Sequence, residues 1–176
     1  MAPDMALFLG PLTCHDTPVY NVLELLLTHK ETTTHYTPEG RLPRTLSCDW
    51  LQEPFSATEM LTTAMDRLPC PKRTQFRSLS PLSRSLYHNV AAQRLRRGFR
   101  LPRQGRAVIT DRLHAHILCT LLRIPHFILD NIYGKIHHFR VSWRTGETLC
   151  EMASSLQDAR KQAEQMLASL SATTPP

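Results

Sequence analysis

An α+β, helix-rich domain is the fold class this sequence predicts, with a C-terminal helix–β-hairpin–long helix unit preceded by short helices and loops. Three observations predict it. Helix start signals recur at Thr17-Pro18, Ser56-Ala-Thr-Glu59, Ser80-Pro81 and Thr110-Asp111. Apolar and polar residues alternate with period two between Lys135 and Trp143. From Leu149 to Leu170 apolar residues return every three or four positions. An apolar fraction of 41% in 176 residues is enough for the core of one ordinary domain.

Taken in order, residues 1–55 read as a loosely ordered N-terminal arm with one short apolar helix. That helix is capped by Thr17, has Pro18 in its first turn, and carries Val19, Val22, Leu23, Leu25, Leu26 and Leu27 on nearly every side. Residues 56–170 form the single α+β domain, including a basic segment over 72–112. Its first helix opens on the capping box Ser56–Glu59 and stops before Pro69 and Pro71. The second starts at Ser80-Pro81, follows the stripe Leu82, Leu86, Val90 and Leu95, and stops at Gly98. Phe99 to Arg106 reads as irregular. Thr110-Asp111 caps a third helix with Leu113, Ile117, Leu118, Leu121 and Leu122 on its face, ended by Pro125. Phe127–Ile132 and Lys135–Trp143 read as the strands of a hairpin turned at Tyr133-Gly134. Leu149, Met152, Ala153, Leu156, Ala159 and Ala163 open the long final helix, and residues 171–176 are a frayed tail.

Met1–Gly10 lacks the basic start of a signal peptide, and no run reaches the roughly 18 apolar residues of a membrane span. Five cysteines, odd in number and without a C-x-x-C pair, fit reduced thiols in the cytoplasm or nucleus. Cys119 and Cys150 are expected as small buried hydrophobes. Trp50 is expected to plug the core.

Charge is uneven. Lys72 to Arg112 holds eleven bases and one acid, Asp111, whereas the rest of the chain holds ten bases against fourteen acids. Seventeen of the 21 bases are arginine, whose planar fork suits phosphate. The expected partner is therefore a polyanion, RNA above all, contacted by Lys72, Arg73, Arg77, Arg94, Arg96, Arg97, Arg100, Arg103 and Arg106. Tyr87 and Phe99 stand near for base stacking. The rival reading of the same arginines is a targeting signal or protein-docking patch.

Enzyme signatures are absent: no phosphate-binding glycine loop, nucleophile elbow or H-E-x-x-H occurs. Cys14-His15-Asp16 has the residue types of a thiol triad, but neighbours in sequence cannot converge as a triad must. His114, His116, Cys119, His126, His137 and His138 are metal-ligand types. Two residues apart on a helix, however, His114 and His116 point about 200° from one another. No catalytic residue, metal or cofactor is expected.

Phe139-Arg-Val-Ser-Trp-Arg144-Thr145 and Leu149-Cys150-Glu151-Met152-Ala153 together resemble the strand-to-helix junction near the end of the tombusvirus nineteen-kilodalton RNA-silencing suppressors. The resemblance spans about 20 residues and implies a homodimer whose sheet lies along short double-stranded RNA. No RNA-contacting residue of that family carries over to this chain. The sequence thus leads to a small accessory protein, viral and cytoplasmic with a nuclear fraction, that binds RNA, double-stranded by preference, and suppresses silencing. The alternative is a non-enzymatic adapter docking a host protein through the apolar helix Val19–Leu27 or the helix Leu149–Leu170. No membrane partner is expected.

Overall fold

Short apolar runs become strands here, and all of them run in one direction. In the computed structural model, β1 (Tyr20–Leu25), β2 (Thr45–Cys48), β3 (Gly105–Thr110), β4 (His126–Leu129) and β5 (Cys150–Ala153) form one sheet in the order β2-β1-β3-β4-β5. Every neighbouring pair is parallel. The helices are α1 (Pro81–Arg103), α2 (Leu113–Leu121), α3 (Lys135–Trp143) and α4 (Leu156–Thr173). The structure describes residues 6–7, 10–13, 17–26, 40–49, 81–130, 134–143 and 148–173, without the side chains at 81–84, 86, 87 and 171–173. Among these residues no helix is long and apolar enough to cross a membrane.

The chain divides into two compact units, residues 1–51 with 100–176, and residues 52–99. The described part of the second is α1 up to Phe99, opened by Pro81, whose missing N–H is unneeded in a first turn. The first unit holds the sheet. On one sheet face Val22, Leu26, Ala107, Ile109, Phe127, Leu129 and Ala153 pack with Leu156, Ala159 and Ala163 of α4. On the other, Leu23, Leu25 and Val108 pack with Ala115 and Cys119 of α2 and with Leu101. Ile128 and Cys150 meet Ile136 of α3 on that same side. This is a doubly wound α/β architecture.

That corrects the α+β, hairpin-bearing expectation, for reasons visible in particular residues. A parallel sheet covered on both faces is written in continuous apolar runs rather than alternating ones. Val22 to Leu25 is buried at every position, on both faces, and apolar but for Glu24, so the segment expected as an apolar helix is the strand β1. Lys135–Trp143 is a helix, because of the alternating set His137, Phe139, Val141 and Trp143 only Phe139 is buried, together with Ile136 three residues earlier. There is therefore no hairpin: Gly134, at φ +61°, accepts from the His138 amide and opens α3. The expected start of the long helix, Leu149–Ala153, is mostly β5. The helix itself begins at Leu156, where the Ser155 hydroxyl accepts from the Asp158 amide at 3.1 Å. Phe99–Arg106, expected as irregular, is the end of α1 and the start of β3. The capping-box helix expected after Ser56, together with Trp50, lies outside the described residues.

The end of α2 did follow the expected stop at Pro125. Arg123, at φ +55°, donates its amide to the Thr120 carbonyl at 3.2 Å, and Ile124 donates to Cys119 at 2.9 Å. This closes the helix with the paired bonds of a Schellman motif and delivers the chain straight into β4.

Gly105 fixes how closely β3 approaches β1. A Cβ there would stand 2.7 Å from the Ala107 carbonyl oxygen and 2.8 Å from Leu23 Cβ, neither of which can swing aside. Gly105→Ala is expected to destabilise the chain by about 1–3 kcal/mol, read as a lower urea midpoint.

Candidate functional site

A sheet whose strands are all parallel gathers its carboxyl ends along one edge, and ligands of doubly wound folds bind there, where the winding reverses. In the order β2-β1-β3-β4-β5 that reversal lies at β1 and β3. The residues leaving the strands at this edge are Asp49 after β2, Thr110, Asp111 and Arg112 at and after β3, Asp130 after β4, and Ser154 and Ser155 after β5.

Thr110 stands opposite Leu25 in the ladder, and its hydroxyl donates to the Leu25 carbonyl at 2.8 Å, closing the end of the β1–β3 pair. The Arg112 amide donates to that same hydroxyl oxygen at 3.1 Å. With its backbone fixed, the Arg112 side chain crosses the end of β1 and forms an ion pair with Asp49 at the end of β2. The guanidinium is only 16% exposed and the Asp49 side chain 1%. Arg112 Nε is buried with no hydrogen-bond partner among the described residues. A buried donor left unmade costs about 1–3 kcal/mol, so this atom is set to receive an acceptor from a ligand.

Arg112 is also the N-cap of α2 in extended geometry, and its own side chain makes no cap hydrogen bond. The positive end of the helix dipole adds to the guanidinium's attraction for an anion. His114, second in α2, is exposed, whereas Asp111 is buried.

At the opposite, amino end of the sheet lies a second cluster. His126 and Cys150 open β4 and β5 and are direct register partners; both face His116 of α2. The His116 Nδ1 to His126 Nε2 distance is 2.8 Å, and His126 Nδ1 lies 2.8 Å from the Ile124 carbonyl oxygen. A carbonyl can only accept, so His126 carries its hydrogen on Nδ1 and presents an Nε2 lone pair to His116 Nδ1–H. Burial is the main reason that the His116 pKa falls to about 3 and that of His126 to about 4, with Arg140 adding repulsion. Burial pushes the Cys150 thiol up to about 11 and Cys119 higher still.

These folded-state histidine values lie below the ordinary 6.5, so the unfolded chain takes up protons first as pH falls. Stability is then full above about pH 6.5 and is lost from there down toward pH 4. Each histidine lowers the folding constant about tenfold per pH unit in that window. Urea midpoints at pH 7 and pH 5, taken in chelator, check this. Equal midpoints would contradict it.

The residues expected to bind RNA are placed as follows. Arg94 and Arg96 are exposed and Arg97 half-buried on α1. Arg100 is exposed at the end of that helix, and Arg103 is half-buried and donates to the Thr13 carbonyl at 3.1 Å. Arg106 is exposed on β3 near its amino end, away from Arg112. Lys72, Arg73 and Arg77 lie outside the described residues, as does Cys14-His15-Asp16. His137 and His138 are exposed on α3, their rings in edge contact at 5.9 Å. Sequence reasoning passed over Arg112 as one more arginine of the basic block. Its signal was position, directly after the buried run Ala107–Thr110.

Comparison with known proteins bears on this same segment. The family model described as polysaccharide pyruvyl transferase matches residues 66–133, which include α1, β3, α2 and β4. A stretch of 46 residues is 54% identical to Pyruvyl transferase 1 of Schizosaccharomyces pombe. That stretch is 26% of this chain and 12% of the length of the yeast protein. These matches overturn the expectations of a silencing suppressor, of an RNA-binding accessory protein, of an adapter and of a chain without enzyme character. The residues that carried the viral resemblance do not form its strand-to-helix junction either: Phe139–Trp143 is helical and Cys150–Ala153 is a strand. The arginine surplus that pointed to RNA lies largely inside the segment similar to a transferase.

Proposed function

We propose that this chain carries the pyruvyl-binding edge of a transferase that moves a pyruvyl group from a donor to a saccharide hydroxyl. Its likeness over residues 66–133 to the polysaccharide pyruvyl transferase family supports the reaction class. The observation that carries the site is Arg112: a guanidinium held across the winding reversal of the sheet, with Nε buried and open to an acceptor.

A pyruvyl group brings its own carboxylate. Arg112 donates to that carboxylate through Nε–H, while the positive end of the α2 dipole stabilises its charge. Asp49 holds a terminal nitrogen of the guanidinium, so the fork is oriented before the ligand arrives. Transfer forms a bond from the sugar oxygen to the pyruvyl carbon, breaks that carbon's bond to the donor, and releases the hydroxyl proton. His114, exposed two residues beyond Arg112, is the group we assign to receive that proton.

Pyruvate is the smallest probe carrying the recognised group. Saturation-transfer NMR on the full chain should show pyruvate bound at millimolar concentration, with the signal lost in Arg112→Ala and kept in Arg94→Ala. If Arg112→Ala retains the signal, or the unaltered chain gives none, the assignment fails.

A further inference from the structure

We propose that His116, His126 and Cys150 bind one zinc ion, which ties α2 to the β4–β5 side of the sheet. The three come from three different elements, all are buried, and their donor atoms lie within 4.8 Å of one another. Two imidazoles and a thiol are the donors zinc takes in proteins, at bonds of about 2.0–2.3 Å that place neighbouring donors roughly 3.3–3.6 Å apart. Closing the present arrangement to that spacing needs shifts of side chains only, because His126 and Cys150 are already paired in register on the same sheet face.

A second observation points to a ligand. The Ile124 carbonyl accepts from His126 Nδ1–H at 2.8 Å, the outer contact that orients a metal-binding imidazole and aims its Nε2 lone pair into the cluster. That carbonyl is fixed in turn, since Ile124 donates its amide to Cys119 in the helix stop of α2. On binding, the His116 proton moves from Nδ1 to Nε2, freeing Nδ1 as a donor. The Cys150 thiol loses its proton to solvent, so each ion bound releases one proton. The thiolate cancels one of the ion's two charges. Arg140, which donates to the Cys150 carbonyl at 3.4 Å, favours the thiolate and opposes the ion. Water completes the fourth position, and binding is weaker than at an all-cysteine site.

This site uses the amino ends of β4 and β5 and the inner face of α2, where the His116 amide donates to the Arg112 carbonyl at 3.1 Å, and it needs no pyruvyl ligand. The test loads the full chain with zinc, dialyses it and measures bound metal by mass spectrometry, and records cobalt absorption in the visible range. About one zinc per chain is expected, together with tetrahedral cobalt bands and one proton released per ion. Cys150→Ser and His126→Ala should each lower uptake at least about tenfold, whereas Cys48→Ser and Arg94→Ala leave it unchanged. An unaltered chain that holds less than about a tenth of an equivalent and shows no cobalt bands overturns the proposal, whatever the variants do. Full uptake by a folded Cys150→Ser chain also overturns it.

Discussion

Under the pyruvyl-binding role proposed for Arg112, Arg112→Lys is expected to lower the affinity for pyruvate, and any pyruvyl transfer, by about a hundredfold while leaving the fold intact. Lysine keeps the charge, so a site working by charge alone would tolerate it. The geometry says otherwise. Arg112 uses one terminal nitrogen on Asp49 and keeps Nε, the next donor along the same edge, for a ligand. An ammonium is a single point at the end of a flexible stem and cannot hold two acceptors at two fixed positions in one plane. About 3 kcal/mol of oriented, charge-assisted bonding is lost, and each 1.4 kcal/mol is a factor of ten. Asp49→Asn, which loosens the fork without removing it, should give a smaller loss of the same kind. Calorimetry with pyruvate and a transfer assay on a saccharide acceptor read the effect. Wild-type behaviour of Arg112→Lys would rule out directional binding.

Arg160→Leu should produce the largest loss of stability, about 3–5 kcal/mol. Glu24 lies in the middle of the sheet on β1 with its side chain fully buried, and Arg160 of α4 is 3% exposed. The guanidinium donates from Nε to Oε1 at 2.7 Å and from a terminal nitrogen to Oε2 at 3.2 Å, while the Ser47 hydroxyl donates to Oε2 at 2.5 Å. The pair is thus satisfied on both carboxylate oxygens. Taking away the arginine leaves a carboxylate stranded in an apolar layer between Val22 and Leu26. The double substitution Glu24→Leu with Arg160→Leu removes both charges and should recover most of the loss, because well-packed apolar residues replace buried ion pairs at little or no cost. Urea unfolding of the three variants separates the cases. Equal destabilisation in single and double variants would show that packing, not charge, is what Arg160 supplies.

How much of this was legible beforehand follows from the kind of contact involved. Local chemistry was: Ser80-Pro81 does start a helix, Pro125 does end one, and Ile117, Leu121 and Leu122 of the face expected for α2 are buried. Strand β4, His126–Leu129, overlaps the strand expected at Phe127–Ile132. Strand β1 was not found, since a segment buried on both faces has neither the period of a helix nor that of a half-exposed strand. Strand β5 was absorbed into the final helix because Leu149, Met152, Ala153 and Leu156 keep three- and four-residue spacing across a strand and a turn. The alternation at Lys135–Trp143 was accidental, as its exposed His137 and Val141 show. The site was hidden for a different reason. Asp49 and Arg112 are 63 residues apart, and Glu24 and Arg160 are 136 apart, so neither pairing leaves a mark on local sequence. Only the end of a buried run marks Arg112 off from its arginine neighbours.

The middle of the sheet also sets a timetable for folding. β1 comes early in the chain, yet one of its two neighbours, β3, begins 85 residues further on in register, and the partner of its buried carboxylate lies near the C-terminal end. On the ribosome, β1 can pair with β2 early, but its other edge and its buried Glu24 must wait until β3 and α4 follow. Contacts of such long sequence separation slow folding and lengthen exposure to aggregation. Nascent chains of this protein should accordingly depend on holding chaperones until the tunnel has released Thr110.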